Sequence, residues 1–305
     1  MKSDLISMND LDLADIEHYL DLAHQVEGLP AQERVRLLAG RVLMVMFYEP
    51  STRTRLSFES AMQKLGGGVI GFSETASTSI AKGESFSDTV LTCERYADAI
   101  VVRHPKEGTA RLAAETASIP IINAGDGTNQ HPTQTLLDLY TIKKCHGQVD
   151  NVRIAFVGDL KYSRTVHSLF QALLKYQGVK FTLVSPESLR LPGYLKLSAE
   201  GRQLDFDETD DLQAALAQND IVYMTRIQAE RFADIMDYEK VKNAYCLEAR
   251  MLAGAPANLK VLHPLPRVNE ISPDVDKSRF AGYFDQVESG VIVRQGILLS
   301  LLGVL

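Results

Sequence analysis

The chain reads as an α/β protein of two domains, each a parallel β-sheet flanked by helices, with an active site in the cleft between them. Three observations predict the fold. Short apolar runs alternate with helical periods along most of the 305 residues, the pattern of parallel strands joined by crossover helices. That length suits two domains of ordinary size, each able to bury its own core. The polar segment KKCHGQVDN, residues 143–151, interrupts the alternation near the middle, and the same scheme then begins again.

Taken in order, residues 42–47 (VLMVMF) read as a buried strand. After the polar turn STRTR, Phe58, Ala61, Met62 and Leu65 recur at helical spacing, and Gly66-Gly67-Gly68 supplies the stop. Residues 69–72 form a short strand. The polar stretch 73–84 leads to a helix carrying Phe86, Val90, Cys93 and Ala97 on one face. Strands are expected at 99–102 and 119–122, the second running through NAGDGTNQHPTQ into a helix with Leu136, Leu137 and Tyr140 inward. In the second half, strands are expected at 152–157, 181–184, 221–224 and 260–262. Val166, Leu169, Phe170, Leu173 and Leu174 form a helical stripe, and the apolar run 291–305 is a terminal helix too short to span a membrane.

Composition narrows the function. The formal net charge of -7 leaves no basic face for nucleic acid or an anionic membrane, so neither is an expected partner. In an acidic chain, arginines gathered at short polar motifs point instead to small anionic ligands. Three widely spaced cysteines imply neither a disulfide framework nor a zinc site. The polar start lacks a basic segment followed by an apolar run, and a cytoplasmic protein is expected.

Functional residues in such folds lie beyond the carboxyl ends of the strands. There the chain places Ser51 to Arg55, then Arg103-His104, then His131 with Gln134, Arg164 in GDLKYSRT, Arg226 and Gln228 in TRIQ, and HPLPR from His263 to Arg267. Six strands thus end in cations or histidines, which predicts a polyanion site. The STRTR turn combines free helix N–H groups, the positive end of the helix dipole, hydroxyls and guanidiniums. A plain serine cap with solvated arginines is the simpler reading, but the cluster after a buried strand outweighs it. Lys82 lies in a polar, glycine-containing stretch suited either to a loop over a ligand or to plain solvation. His131 precedes Pro132 at a helix start, with Gln134 within one turn. The prolines of HPLPR hold the backbone rigidly and leave carbonyls as acceptors, either as a structural turn or as a cradle for an amide. VRIAFVGDLKYSRT lacks the glycine spacing of a dinucleotide site, so no cofactor is expected. His104, His131 and His263 stand apart from other ligand residues, so no metal is expected either.

With these motifs in place, the chain resembles the catalytic chains of the aspartate carbamoyltransferases, within the aspartate/ornithine carbamoyltransferase superfamily. STRTRLSFE, VVRHP, NAGDGTNQHPTQTLLDLYTI, VGDLKYSRTVHSL, YMTRIQ and VLHPLPRVNEI carry the likeness, in the family's order and over nearly the whole chain. HPLPR separates it from the ornithine enzymes, which typically carry a cysteine-containing version.

The resemblance implies a carbamoyl-phosphate-binding domain of residues 1–130 plus a C-terminal helix at about 288–305, and an aspartate-binding domain of residues 131–287. It implies that Ser51, Thr52, Arg53, Thr54 and Arg103 hold the phosphate. Arg53, Thr54 and His131 contact the carbamoyl oxygen, and Arg53, Thr54, Arg103 and His131 are the catalytic set. Gln134 and the carbonyls of Leu265 and Pro266 take the amide; Arg164, Arg226 and Gln228 bind aspartate. Lys82, with Ser79, arrives from a neighbouring subunit of a homotrimer, and Glu49 pairs with Arg164 and Arg231 on domain closure. Regulatory chains are compatible partners. The implied reaction is carbamoyl transfer from carbamoyl phosphate to the α-amine of L-aspartate. Its alternatives are a transcarbamoylase for another amino acid and a non-catalytic binding homologue.

Overall fold

The computed structural model describes residues 3–73, 82–200, 206–232 and 234–305, with the backbone alone at 197–200 and 230. It divides into two compact units, one of Met1–Tyr140 with Glu288–Leu305 and one of Thr141–Val287. The first contains α1 (Leu13–Gly28), α2 (Ala31–Arg34), β1 (Val42–Phe47), α3 (Thr52–Lys64), β2 (Gly68–Phe72), α4 (Phe86–Cys93), β3 (Ala99–His104), α5 (Thr109–Thr116) and β4 (Ile121–Asp126). Helix α6 (Pro132–His146) carries the chain into the second unit. There follow β5 (Arg153–Val157), α7 (Arg164–Leu173), β6 (Lys180–Val184), α8 (Gly193–Glu200), β7 (Phe206–Thr209), α9 (Leu212–Gln218), β8 (Ile221–Met224), α10 (Ile235–Val241) and β9 (Lys260–Leu262). Helix α11 (Tyr283–Leu301) returns the chain to the first unit.

Both sheets are parallel. The first runs β2-β1-β3-β4 and the second β7-β6-β5-β8-β9. Neither order follows the chain, so each sheet contains a switch point where successive crossovers go to opposite sides. It lies between β1 and β3 in the first unit and between β5 and β8 in the second. Such points open a crevice at the carboxyl ends of the two flanking strands.

The helices form where periodicity and caps coincide. On α3, Thr54, Ser57, Phe58, Ala61 and Met62 are buried, the three- and four-residue spacing of one face. The helix ends at Gly66, whose φ of +86° is open to glycine, and where a Cβ would lie 1.8 Å from the Val35 carbonyl oxygen. Helix α1 is fastened by a capping box between Asp12 and Asp15. In the second unit Phe156, Phe170, Phe181 and Tyr223 pack under the switch point, with Phe170 and Phe181 ring centroids 4.8 Å apart. Each fully buried side chain of this size contributes about 1.5–3 kcal/mol.

Three expectations are corrected. The strand anticipated at 119–122 is β4, Ile121–Asp126, and all six residues are buried. Its polar residues are satisfied internally: Asn123 Nδ2 donates to Ile6 O (2.9 Å) and Asp126 Oδ1 (3.0 Å), and Gly125 N donates to Asn123 Oδ1 (2.8 Å). The terminal helix begins at Tyr283, because the polar residues Asp285, Gln286 and Glu288 conceal its first turns from an apolar count. Strand β7 was not anticipated. It is a four-residue edge strand with no fully buried position, so it carries no alternation to read.

Candidate active site

In the first unit the two strands at the switch point deliver the predicted residues to one edge. Phe47, the last residue of β1, lies in register with Arg103 on β3, and Tyr48 N donates to Arg103 O at 2.8 Å. Beyond Phe47 the chain turns at once into α3. Ser51 takes the N-cap position with extended backbone, but its side chain makes no capping bond, and the first turn carries no carboxylate. The positive end of α3 is therefore not neutralised by the helix itself. Thr54 is buried on the first turn while Thr52 and Arg53 are exposed.

Arg103 is nearly buried, with 11% of its side chain exposed. Its Nη1 donates to Ala124 O at 3.0 Å and its Nη2 pairs with Glu49. The Nε of Arg103 has no partner among the described residues. Burial pulls this guanidinium below its ordinary value, Glu49 opposes that, and the nearby charge of Arg53 adds to it. Desolvation lowers Arg53 as well. Two guanidiniums held close enough to repel one another beside an uncapped helix start form a receptor for a multiply charged anion.

Helix α6 contributes a second start. Pro132 opens it, and the carbonyl of buried His131 accepts from Gln134 N (2.9 Å) and Thr135 N (3.3 Å). Gln134 Nε2 donates to the buried Asp138 Oδ1 at 2.9 Å. That bond fixes the amide orientation and presents Oε1 as an acceptor, the group a substrate N–H needs. The α3 and α6 starts are tied together by Arg294 of α11. Its Nη1 donates to Ser57 Oγ (2.9 Å) and Gly290 O (3.1 Å), and its Nη2 to Thr133 Oγ1 (3.2 Å). The guanidinium stacks over Phe58, 5.0 Å from the ring centroid. Burial lowers its pKa to about 9, and the Asp138 carboxylate favours the charged form.

In the second unit the switch point lies between the ends of β5 and β8. Gly158 follows β5 with φ +113°, and a Cβ there would sit 2.4 Å from Thr225 O. The close approach lets Thr225 N donate to Val157 O (2.8 Å) and Asp159 N donate to Thr225 Oγ1 (3.1 Å). Asp159 is fully buried; burial pushes its carboxyl up, and backbone N–H groups of Tyr162, Gln228 and Lys161 oppose that. Asp159 thereby joins two turns: its carboxylate accepts from Tyr162 N at 2.9 Å in the KYSRT turn, which carries Arg164, and its N–H holds Thr225 of the TRIQ turn, which carries Arg226 and Gln228. Arg164 opens α7 behind Ser163, which makes no side-chain capping bond, and no carboxylate lies in that first turn. Arg226 and Gln228 are half-buried. Arg231 closes the short helical turn Ala229–Arg231, and its Nε has no partner among the described residues.

The HPLPR turn follows β9. Leu265 adopts φ +54°, a conformation costing about 1–2 kcal/mol for a residue with a side chain, and its bond to Pro266 is cis. The carbonyls of Leu265 and Pro266 accept no hydrogen bond from a described residue. Around them, the buried His263 and Glu270 bond to one another at 2.7 Å.

Not every strand-end cation serves a ligand. Arg267 forms a two-pronged ion pair with Asp276, its Nη2 donating to Oδ2 at 2.6 Å, and also reaches Tyr283 OH at 3.1 Å. His104 Nδ1 accepts from Lys106 N at 3.0 Å, and its ring packs on Tyr48. These two roles are structural. Arg55 pairs with Glu59 one turn on, at 2.6 Å. Lys82 is exposed, and Ser79 lies outside the described residues. Glu49, expected to act in closure, pairs with Arg103. The reading of motifs missed Arg294, Asp159 and Glu270. The first had a visible signal, since a lone arginine inside the apolar run GVIVRQGILL requires buried partners.

A family model described as aspartate/ornithine carbamoyltransferase, carbamoyl-P binding domain, matches residues 3–144, and one described as the Asp/Orn binding domain matches residues 150–301. An aspartate carbamoyltransferase catalytic subunit from Thermococcus gammatolerans is 54% identical over 303 residues, covering 99% of this chain and 98% of the relative. The catalytic subunit of M. jannaschii aspartate transcarbamoylase superposes with a TM-score of 0.93 at 49% identity, covering 99% of this chain and 98% of that one. The Trypanosoma cruzi aspartate transcarbamoylase, solved in complex with carbamoyl phosphate and aspartate, superposes with a TM-score of 0.91 at 36% identity, over 97% of this chain and 96% of that one.

Proposed function

The chain belongs to the aspartate/ornithine carbamoyltransferase family, and from that premise we propose that it transfers the carbamoyl group of carbamoyl phosphate to the α-amine of L-aspartate, the carbamoyl-transfer step of de novo pyrimidine biosynthesis. The observation that carries the reading is the pair of switch points, each supplied with an uncapped helix start and arginines. One set suits a phosphate and the other a dicarboxylate. The carbamoyl-phosphate-binding domain is assigned to the first unit and the aspartate-binding domain to the second.

Ser51, Thr52, Arg53, Thr54 and Arg103 hold the phosphate by helix N–H groups, hydroxyls and guanidiniums. Arg53, Thr54 and His131 stabilise the oxyanion that forms as the amine attacks the carbamoyl carbon. Gln134 Oε1 and the Leu265 and Pro266 carbonyls accept from the carbamoyl amide. Arg164, Arg226 and Gln228 hold the aspartate carboxylates, and Glu49 and Arg231 act in domain closure. As the N–C bond forms, the C–O bond to phosphate breaks, and the departing phosphate takes the proton released by the amine. Bringing two anions together against their repulsion supplies much of the remaining acceleration. The active unit is a homotrimer in the cytoplasm, with Lys82 contributed by a neighbouring copy. The same trimer is suited to pair with regulatory chains.

The test is a carbamoyl-transfer assay with aspartate and ornithine as competing acceptors, paired with a native mass measurement. Product with aspartate alone, from a trimer, is expected. Turnover of ornithine but not aspartate overturns the reading.

A further inference from the structure

We propose that the buried pair His263 and Glu270 is the positioning element of the HPLPR turn, setting selectivity for the carbamoyl amide by holding the Leu265 and Pro266 carbonyls in place. The inference rests on the carbamoyl-phosphate reading above.

His263 and Glu270 are 2% and 5% exposed. The His263 ring bonds on both sides: Nδ1 accepts from Leu265 N at 2.7 Å, and Nε2 lies 2.7 Å from Glu270 Oε1. Because Nδ1 is an acceptor, the ring proton resides on Nε2 and is donated to Glu270, so one tautomer satisfies both contacts. The second oxygen, Glu270 Oε2, accepts from Val268 N (3.0 Å) and Asn269 N (3.1 Å). The backbone of His263 is itself anchored, its N–H donating to Gln286 Oε1 at 2.9 Å. Burial alone raises the Glu270 carboxyl, yet the bonds from His263 and from backbone N–H groups hold it below its ordinary range.

This network surrounds the one described residue with a side chain in the second unit, other than Asn151, that adopts positive φ. Leu265 retains that conformation through its N–H bond to His263, a side-chain-to-backbone bond two residues ahead of the kind that shapes turns. Loss of the pair frees the segment whose carbonyls the amide needs. The phosphate end of the ligand is held by residues of the first unit and does not depend on this turn.

The chemistry singles out one substitution. In Glu270→Gln the side chain keeps one acceptor oxygen against three donors: His263 Nε2–H, Val268 N–H and Asn269 N–H. With the amide oxygen on the backbone pair, its NH2 faces Nε2 and forces the proton onto Nδ1, which then confronts the Leu265 N–H. His263→Ala removes the acceptor outright. His263→Asn keeps an acceptor for the Leu265 N–H and loses only the link to Glu270, so it acts as the conservative variant.

The experiment measures dissociation constants for carbamoyl phosphate and for inorganic phosphate on the full chain, with thermal melts of each variant. Glu270→Gln and His263→Ala should weaken carbamoyl phosphate about tenfold, leave phosphate within about twofold, and His263→Asn should fall between. Equal weakening of both anions, or an unchanged ratio in folded variants, overturns the proposal. If the variants do not fold, 15N spectra of the wild-type protein decide: a His263 proton on Nε2 supports the pair, and one on Nδ1 rejects it. Failure of the wild-type chain to bind carbamoyl phosphate refutes the functional reading instead, and the tautomer measurement still reports on the pair.

Discussion

Arg294 donates from Nη1 to Ser57 Oγ at 2.9 Å, joining the terminal helix to the second turn of the helix that opens with STRTR. Its Nη2 reaches Thr133, two residues past His131, so one buried cation sets the spacing of two helix starts. Arg294→Met removes the charge and strands both hydroxyls. It should destabilise the protein by about 1–3 kcal/mol in urea melts and weaken phosphate binding. Arg294→Lys keeps the charge but not the fork, and should restore stability only in part. A Met variant as stable as wild type with unchanged phosphate affinity would show that the bridge is incidental.

Arg53 stands on the first turn of α3 without an internal carboxylate partner in that turn. Arg53→Ala should cost about 3–4 kcal/mol of transition-state stabilisation, or roughly 10²–10³ in kcat. Steady-state kinetics with carbamoyl phosphate and aspartate measure it. Near-normal turnover would remove Arg53 from the catalytic set.

Subunit sharing is tested by mixing. Lys82→Ala chains and Arg53→Ala chains, each impaired alone, should regain part of the activity when unfolded and refolded together. Hybrid trimers then contain sites with both residues intact. No recovery from verified hybrids would assign Lys82 to the site of its own chain.

Gly158 holds φ +113° with the Thr225 carbonyl at its back. Gly158→Ala should lose about 1–3 kcal/mol from the backbone conformation alone, with further loss as the β5 and β8 ends are pushed apart. The aspartate KM should rise more than that for carbamoyl phosphate. A thermal melt and the two KM values distinguish this from a general loss of stability.

Asp220 gathers Arg153 N (3.0 Å), Arg153 Nη2 (2.8 Å) and Asn258 Nδ2 (2.8 Å), at the opposite end of β8 from Arg226. Burial raises its carboxyl, but these donors outweigh that and bring it to about 2, below its ordinary value. A depressed folded-state value means that the stabilisation is complete above the unfolded value and is lost as pH falls from about 4 to about 2. Acid titration of stability should therefore show Asp220→Asn less stable than wild type at pH 6 and close to it at pH 2. A difference that does not shrink with acid would contradict the linkage.

The sequence by itself determined the alternation of strands and helices and the residues at the strand ends. Both are local: a buried strand requires consecutive apolar residues such as those of 42–47, and an anion-binding helix start requires hydroxyls and arginine beside it. Only the tertiary structure decided which strand ends share an edge. Val42 to Phe47 bears no mark that β3, rather than β2, stands on the side of β1 where Arg103 arrives, because sheet order depends on which crossover packs on which face. The same applies to Arg267 and Arg294. Both are arginines near apolar sequence, yet one pairs with Asp276 and the other links Ser57 to Thr133, through partners that contact order along the chain does not reveal. Side-chain chemistry is written residue by residue, whereas convergence is a property of packing.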